Sequence, residues 1–209
     1  EGRLVESGLQ QRPRRFFNEE MSPAESRERL EKFRSFLESL GPVFSLFGRY
    51  LGTRVDLFPI SDCLEFIRIP DESEPVDGTQ VRTILSKEWG RNVEAVLLGF
   101  DETPHSSRLV YQTHYGRCVD GTPVRVQIVN PGFQQLVERD GPLLNLLRPA
   151  FVSIGRNDVL IERVIADFMR FLPQYLDRQA DMDGMLSLAE DAQIFEDLAA
   201  PRILENLST

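Results

Sequence analysis

Lysine is nearly absent from this chain of 209 residues. The two lysines, Lys32 and Lys87, both fall in segments whose residue pattern indicates exposed helix. A lysine that binds nucleotide phosphates projects from a strand into a cleft, as a compact charge with three donors. The sequence therefore offers no lysine for that role.

Metal ligands are also scarce. Cys63 and Cys118 lie far apart in the sequence, and His105 and His114 lie in or beside one predicted strand, so no metal-binding spacing occurs. Two isolated cysteines are typical of free thiols in a reducing compartment. We expect no metal and no cofactor.

Long apolar runs, a signal peptide and net positive charge are missing as well. No stretch is apolar for long enough to cross a bilayer, and the first residues lack a signal-peptide pattern. The net charge of −9 argues against nucleic-acid binding, because phosphate backbones require a basic surface. We expect a cytoplasmic protein, and peripheral contact with a membrane stays open.

The chain does contain 14 phenylalanines, spread widely enough to predict a packed core. Its length suits one large domain, or one domain with a helical extension. In residues 1–21, Arg12, Arg14 and Arg15 directly precede Phe16-Phe17, without periodicity. This basic and aromatic arm fits a flexible segment as well as it fits a docking segment for a partner or an anionic surface.

A pair of helices is predicted after the arm. Ser22-Pro23-Ala24-Glu25 is a capping box with proline in the first helical position, and Gly41-Pro42 separates the first helix from the second. The apolar residues at helical spacing are Leu30, Phe33, Leu37 and Leu40, then Val43, Phe44, Phe47 and Leu51. We expect their phenylalanines to be core, with a lipid-binding surface as the less favoured alternative.

The middle of the chain predicts strands. Residues 60–78 are expected to be irregular and acidic, followed by a helix from Thr79 to Trp89 that Gly90 ends. Strands are predicted at 93–101, 109–118 and 122–129, and the last two join at Asp120-Gly121. Helices are predicted at 133–150, from 157 to Pro173 and at 186–198, and a further strand at 201–209.

Residues 40–59 carry a resemblance to a known family. Leu40-Gly41-Pro42-Val43-Phe44 and Thr53-Arg54-Val55-Asp56-Leu57-Phe58-Pro59 are similar to the L-G-P-x-F and S-T-R-x-D-L-x-P segments of the UbiB/ADCK atypical kinase-like family. The family's intervening K-x-G-Q motif is Leu46-Phe47-Gly48-Arg49 here. Leu46 lacks the lysine charge, and Arg49 cannot reproduce the neutral donor and acceptor of glutamine.

Two more family segments resemble this chain with substitutions. In the alanine-rich turn, which by resemblance covers the phosphates, Gln112 and His114 match but Arg108 is bulky. The V-A-V-K strand is Val124-Arg125-Val126-Gln127, so a neutral amide stands at the lysine position. Strand alternation puts Arg125 on the same face as Gln127, where it would occupy the adenine space. The alternative is that the alignment of this strand is off by one residue, in which case Arg125 is only a solvent-exposed side chain.

The resemblance continues to the end of the chain. The family's lysine-pairing glutamate corresponds to Leu188, and Glu190 lies two residues away on the wrong helix face. The implied fold is α+β: a kinase-like N-lobe with a small antiparallel sheet, a helical extension and additional helices, and without the C-lobe. We expect three regions: the arm 1–21, the extension 22–92 with the altered K-x-G-Q frame, and the N-lobe 93–209.

These substitutions favour a non-catalytic relative that binds a protein partner or a second copy of itself. The degenerate nucleotide-cleft positions are Leu46, Arg49, Arg108, Gln112, His114, Arg125, Gln127 and Leu188. No catalytic residue is predicted. The alternatives are a fragment or split member of a UbiB-like ATPase that supports isoprenoid-quinone biosynthesis, and an accessory module that binds an isoprenoid lipid.

Overall fold

The computed structural model describes residues 22–154, 158–195, 197 and 199–208. The prediction for the arm 1–21 lies outside the described residues, as do the predicted ends at positions 198 and 209.

The first two helices form the predicted hairpin. In α1 (Pro23–Ser39) the Ser22 hydroxyl accepts the Glu25 N–H at 3.2 Å, and the Glu25 carboxylate accepts the Ser22 N–H at 3.0 Å. This reciprocal capping box is confirmed. Gly41 has φ 110°, a positive value that glycine adopts without strain, and α2 (Pro42–Gly52) begins directly after it.

The prediction of an irregular segment over 60–78 is wrong in its first half. Helix α3 (Ile60–Ile67) occupies residues 60–67 because Cys63 and Phe66 face the core one turn apart. Pro70 onwards is irregular as expected, until Asp77 caps α4 (Gly78–Trp89) by accepting the N–H of Thr79. The short length of α3 hid its periodicity in the sequence.

A small antiparallel sheet follows. Its strands are β1 (Leu97–Phe100), β2 (Ser106–Ser107), β3 (Tyr111–Cys118) and β4 (Pro123–Val129). β3 is central: β1 and β2 pair with successive parts of one edge, and β4 pairs with the other. The predicted first strand was too long, because residues 93–95 form a 3₁₀ turn that buries Val93.

Helices α5 (Phe133–Asp140), α6 (Arg148–Ser153), α7 (Asp158–Tyr175) and α8 (Arg178–Ala192) follow β4. A 3₁₀ segment at 141–147 interrupts the helix predicted at 133–150 and separates α5 from α6. The predicted helix at 186–198 is wrong in its bounds, since α8 begins at Arg178, where Asp177 caps it, and ends at Ala192. The predicted strand at 201–209 is also wrong: described residues 205–207 form a 3₁₀ turn instead.

Two hydrophobic clusters hold these elements. The larger joins α1, α2 and α3 to α5, α6 and α7, and eight buried phenylalanines lie in it: Phe33, Phe44, Phe47, Phe58, Phe66, Phe133, Phe151 and Phe168. The smaller packs α4 and the 204–207 turn against one face of the sheet. The predicted α+β class is confirmed, and these eight phenylalanines are core. Among the described helices, none has the length and apolar character needed to traverse a bilayer.

Candidate functional site

Arg125 and Gln127 lie on the same face of β4, and both are exposed. Their partners across the β3–β4 ladder are Tyr115 and Thr113, whose side chains share this face because directly opposite residues do so. We call the face formed by Thr113, Tyr115, Arg125 and Gln127 the open face. The predicted alternation of β4 is confirmed, and the neutral amide of Gln127 points toward solvent.

Gln112 and His114 lie on the opposite face of β3, with Val126 and Ile128 of β4; we call it the closed face. Gln112 Oε1 accepts the Val76 N–H at 2.8 Å, which turns its Nε2 toward His114 Nε2 at 2.9 Å. His114 Nδ1 then donates to the Asp101 carbonyl at 2.8 Å. Both residues are fully buried, so the structure separates them from Arg125 and Gln127.

The turn between β2 and β3 is inserted into the larger hydrophobic cluster. Leu109 and Val110 at its tip are 7% and 1% exposed. The Asn130 side-chain amide donates to the carbonyls of Arg108 and Leu109, at 2.7 and 3.1 Å, and its backbone N–H donates to Val110 at 2.7 Å. Because two apolar side chains anchor its tip, this turn cannot close over a ligand without leaving the core.

An ion-pair cluster centred on Asp71 connects this turn to α2. Arg108 Nη1 lies 2.8 Å from Asp71 Oδ2, and Arg49 Nη2 lies 3.8 Å from the same oxygen. Arg49 Nη1 also donates to the Ile69 carbonyl at 2.7 Å. The hydrogen bond that Arg108 donates to the Asp71 carboxylate raises the pKa of the Arg108 guanidinium. Two of the predicted positions, Arg49 and Arg108, are thus brought together by one carboxylate.

In the remainder of the K-x-G-Q frame, Leu46 and Gly48 contribute to packing. Leu46 is buried in the larger cluster, where an ammonium would be desolvated without a partner. A Cβ added at Gly48 would lie 2.2 Å from Ile69 Cδ1 and 3.0 Å from Leu37 Cδ1, so any larger residue would force the Ile69 side chain to shift. This segment therefore retains a closely packed glycine, and a leucine fills the lysine position.

The start of α8 borders the same region. The Arg178 guanidinium lies over the Tyr111 ring, 5.9 Å from its centroid, and donates to the Tyr175 carbonyl at 2.8 Å. Burial raises the pKa of the Tyr175 hydroxyl. Leu188 lies ten residues beyond Arg178, about 15 Å along a helix, and is 49% exposed. It is not packed into the cleft region formed by Arg49, Asp71 and Arg108.

The two lysines lie elsewhere. Lys32 is exposed on α1 and pairs with Glu28 at 2.7 Å, and Lys87 is exposed on α4. Across the part of the chain that the structure describes, no group of three or more histidine, cysteine or acidic residues is placed to hold a metal ion.

Sequence reasoning missed the role of Asp71. It placed this residue in an acidic loop, with no signal that it would pair with Arg49 and Arg108, 22 and 37 residues away. Tyr175 and Arg178 were also missed, since only the packing of α7 and α8 brings them near β3. An isolated arginine at a position where the family has a small residue, as at Arg108, was the one available hint of a counter-ion nearby.

Comparison with known proteins places the chain in a family. The ABC1 atypical kinase-like domain matches residues 68–209, which is more than half of the chain. This chain belongs to the ABC1 atypical kinase-like family. The sheet and its flanking helices are accordingly a kinase-like N-lobe, as the resemblance implied.

Several curated relatives of this ABC1 chain carry the description "Probable protein kinase UbiB". The chain is 28% identical over 175 residues to the protein of Xylella fastidiosa (strain 9a5c), covering 83% of this chain and 32% of the relative. It is 28% identical over 184 residues to that of Pseudomonas fluorescens (strain SBW25), covering 83% and 34%. For Marinobacter nauticus the identity is 31% over 162 residues, covering 76% and 29%. The chain thus spans about a third of the length of these relatives.

Proposed function

We propose that this ABC1 chain is a non-catalytic relative that acts by binding protein rather than by transferring phosphate. The observation that carries the proposal is the Arg49–Asp71–Arg108 cluster, together with the Leu109-Val110 anchor. By the family resemblance, the K-x-G-Q frame and the alanine-rich turn are the parts that enclose a nucleotide. Here Asp71 links these two parts through its ion pairs with Arg49 and Arg108.

The charge of the region supports the same proposal. Nucleotide triphosphates require positive groups free to contact their oxygens. Arg108 and Arg49 share one carboxylate, Arg178 pairs with Asp181 at 2.7 Å, and Gln127 is neutral. A triphosphate would have to compete with Asp71 for the first two guanidiniums, and would gain no ammonium from β4.

The alternative function is that of an enzyme fragment or of one half of a split enzyme. The relatives are described as probable kinases, and the chain spans about a third of their length. A fragment of an enzyme would still bind a nucleotide, whereas a non-catalytic relative would not, so nucleotide binding distinguishes the two functions. Lipid binding is the weaker alternative, because Phe33, Phe44 and Phe47, the phenylalanines considered for it, lie in the core.

Thermal unfolding with ATP and Mg²⁺ tests the proposal. A ligand that binds only the folded state at 100 times its Kd adds about 2.7 kcal/mol to the free energy of unfolding. We expect no change in Tm up to millimolar ATP·Mg²⁺. A saturable, Mg²⁺-dependent rise in Tm would contradict the proposal and favour the enzyme alternative.

A matched variant shows whether the substituted residues are the cause. The triple change Arg49→Gln, Arg108→Ser and Gln127→Lys removes both guanidiniums and restores the ammonium. We expect ATP·Mg²⁺ to raise the Tm of this variant measurably. The control variant combines Arg49→Gln and Arg108→Ser with exposed Gln80→Lys on α4; it has the same net charge, with the ammonium elsewhere, and should leave the response at zero.

A further inference from the structure

A fully buried glutamine fastens the 70–77 segment to β3. Gln112 bonds to both backbone groups of one residue: its Oε1 accepts the Val76 N–H at 2.8 Å, and its Nε2 donates to the Val76 carbonyl at 3.3 Å. Nearer the start of the segment, the Ser73 N–H donates to the Ser107 carbonyl at 3.3 Å. The side-chain amide of Gln112 thus takes the place that the backbone of a neighbouring strand would occupy.

The partners of Gln112 fix the protonation state of His114. A backbone N–H only donates and a carbonyl only accepts, so Val76 requires Oε1 of Gln112 on one side and Nε2 on the other. That same Nε2 lies 2.9 Å from His114 Nε2, which must therefore accept and carry no proton. On the other side of the ring, His114 Nδ1 donates to the Asp101 carbonyl at 2.8 Å. The network is complete only with a neutral imidazole whose proton is on Nδ1.

A second proton on the ring breaks this arrangement. With Nε2 protonated, the His114 N–H and the Gln112 amide N–H groups point at each other, two donors at hydrogen-bond distance. Turning the amide over presents Oε1 to the ring, but then Nε2 meets the Val76 N–H and Oε1 meets the Val76 carbonyl. Gln112 can bond to the charged ring or to Val76, and not to both. We propose that His114 is a proton-sensitive latch: uptake of one proton from water at Nε2 releases the 70–77 segment from β3.

The same segment carries Asp71, the carboxylate that links Arg49 to Arg108. Because Asp71 and Val76 belong to one short segment, a proton taken up at His114 weakens the hold on the Asp71 cluster. The latch therefore assigns a regulator, the proton, to the ion pairs on which the proposed function depends. It rests on that function only for what the release controls.

On the side of β1 and α4, the charged groups of the packed elements are Arg82, Glu94 and Glu102. Phe100 stacks on the His114 ring, and the Arg82 guanidinium lies over the Phe100 ring, 5.6 Å from its centroid. Arg82 forms ion pairs with Glu94 and, at 2.6 Å, with Glu102. Both carboxylates thus bond to a guanidinium rather than to the imidazole.

The remaining neighbours of His114 are the 70–77 segment, Asp101 and β4. The hydrogen bond from Thr79 lowers the pKa of Asp77, the Asp101 side chain is exposed, and β4 places apolar Val126 opposite His114. The carboxylates of the segment are Asp71, Glu72, Glu74 and Asp77. Carboxylates ordinarily titrate near about pH 4 and histidine between about pH 5 and 8. Between pH 5.5 and 7.5 the latch therefore responds through the ring.

Amide hydrogen exchange of the full chain tests the latch. Rates from pH 7.5 to 5.5 are expressed as protection factors, which removes the intrinsic effect of pH on exchange. Because opening takes up a proton, we expect the protection factor of the Val76 N–H to fall about tenfold over this range. That of Leu37, in the larger cluster, should stay unchanged. Nitrogen NMR of the His114 ring at pH 7.5 should show the proton on Nδ1.

The second histidine supplies a matched control. His105 is exposed and lies against Tyr115, with ring centroids 4.7 Å apart. We expect His105→Gln to keep the wild-type fall in protection at Val76. His114→Gln replaces the ring by an uncharged amide that does not titrate, and should remove the fall.

Gln112→Glu reverses the sign and does not depend on how well His114→Gln folds. Its carboxylate can accept both the Val76 N–H and a proton on His114 Nε2, so protection at Val76 should rise on acidification. The proposal is overturned by a wild-type protection factor that does not change with pH, by a fall that persists in His114→Gln, or by a fall in Gln112→Glu as large as that of wild type. These measurements involve neither a nucleotide nor a partner, so the latch and the proposed function fail separately.

Discussion

The closed and open faces are made from alternate residues of the same two strands, yet they are built differently. On the closed face Gln112 and His114 are fully buried, and the backbones of Val76 and Asp101 satisfy their polar atoms. Phe100 stacks on the His114 ring with centroids 4.9 Å apart. On the open face Arg125 and Gln127 are exposed. The closed face is a network of fixed bonds, whereas the open face buries Thr113 and exposes Tyr115, Arg125 and Gln127.

The two faces also differ in whether their residues match the family pattern. Gln112 and His114 match the family pattern, and the structure uses them to hold the 70–77 segment and the β1 end against β3. Arg125 and Gln127 depart from the pattern, and the fold places no packing demand on them. Two residues that hold the lobe together thus match the family pattern, whereas two positions that the resemblance assigns to the nucleotide cleft depart from it.

The same substitution on the two faces gives the largest expected contrast. Gln112→Leu leaves the Val76 N–H and His114 Nε2 without their partner in the interior, which should lower the free energy of unfolding by about 2–4 kcal/mol. Gln127→Leu changes only an exposed side chain and should stay within about 0.5 kcal/mol of wild type. Urea unfolding at pH 7 measures both. An equal loss of unfolding free energy in the two variants would contradict the difference between the closed and open faces.

Glycine substitutions test whether the K-x-G-Q frame also acts as scaffold. Gly48→Ala forces a methyl group against Ile69 and should cost about 1–3 kcal/mol. Ile69→Val removes the contacting Cδ1, so the double variant should be less destabilised than the sum of the two single variants. Gly184→Ala in α8 meets nothing within 4 Å and should stabilise by about 0.5–1 kcal/mol. Purely additive effects at positions 48 and 69 would show that this glycine is not required for packing.

The Asp71 cluster should contribute less, because its arginines are partly solvated. We expect Asp71→Ala to cost about 1 kcal/mol or less, and to increase amide hydrogen exchange at Leu109 and Val110 by releasing Arg108. Glu74→Ala, an exposed change in the same loop, is the control. Unchanged exchange at the turn would mean that the apolar anchor alone holds it.

The smallest effect is expected at the Arg54–Asp167 ion pair between the α2–α3 loop and α7. The hydrogen bond from Arg54 lowers the pKa of Asp167, so its stabilising contribution is complete above the unfolded pKa of about 4 and is lost as pH falls through the folded pKa. The stability difference between wild type and Asp167→Asn should be constant from pH 5 to 7. Below pH 4 it should shrink. A difference that grows on acidification would contradict this sign.

Much of the fold follows from local signals in the sequence. The capping box at Ser22, the stop at Gly41-Pro42 and the turn at Asp120-Gly121 each specify a boundary within a few residues, because each fixes its own backbone or its own hydrogen bonds. α3 was missed because eight residues give too little periodicity to distinguish a short helix from a loop. The tail was taken for a strand by resemblance, and its Leu207 carbonyl instead accepts the indole N–H of Trp89 at 2.9 Å.

The candidate site was predictable in composition and not in arrangement. Alternation along β4 placed Arg125 and Gln127 on one face correctly, since a strand has a period of two. The same rule places Gln112 and His114 on one face of β3. It does not say which face, because the pairing of Gln112 with Ile128 and the packing of α4 over that face are long-range.

The sequence by itself determined which residues depart from the family pattern: by the resemblance, residues 46, 127 and 188 lack two ammonium groups and a carboxylate, whatever the fold does with them. Only the tertiary structure decided that Arg49 and Arg108 meet at Asp71, and that the turn between β2 and β3 is anchored in the core. The physical reason is distance. An ion pair depends on separation in space, and chain positions 49, 71 and 108 become neighbours only when the helical extension packs against the sheet.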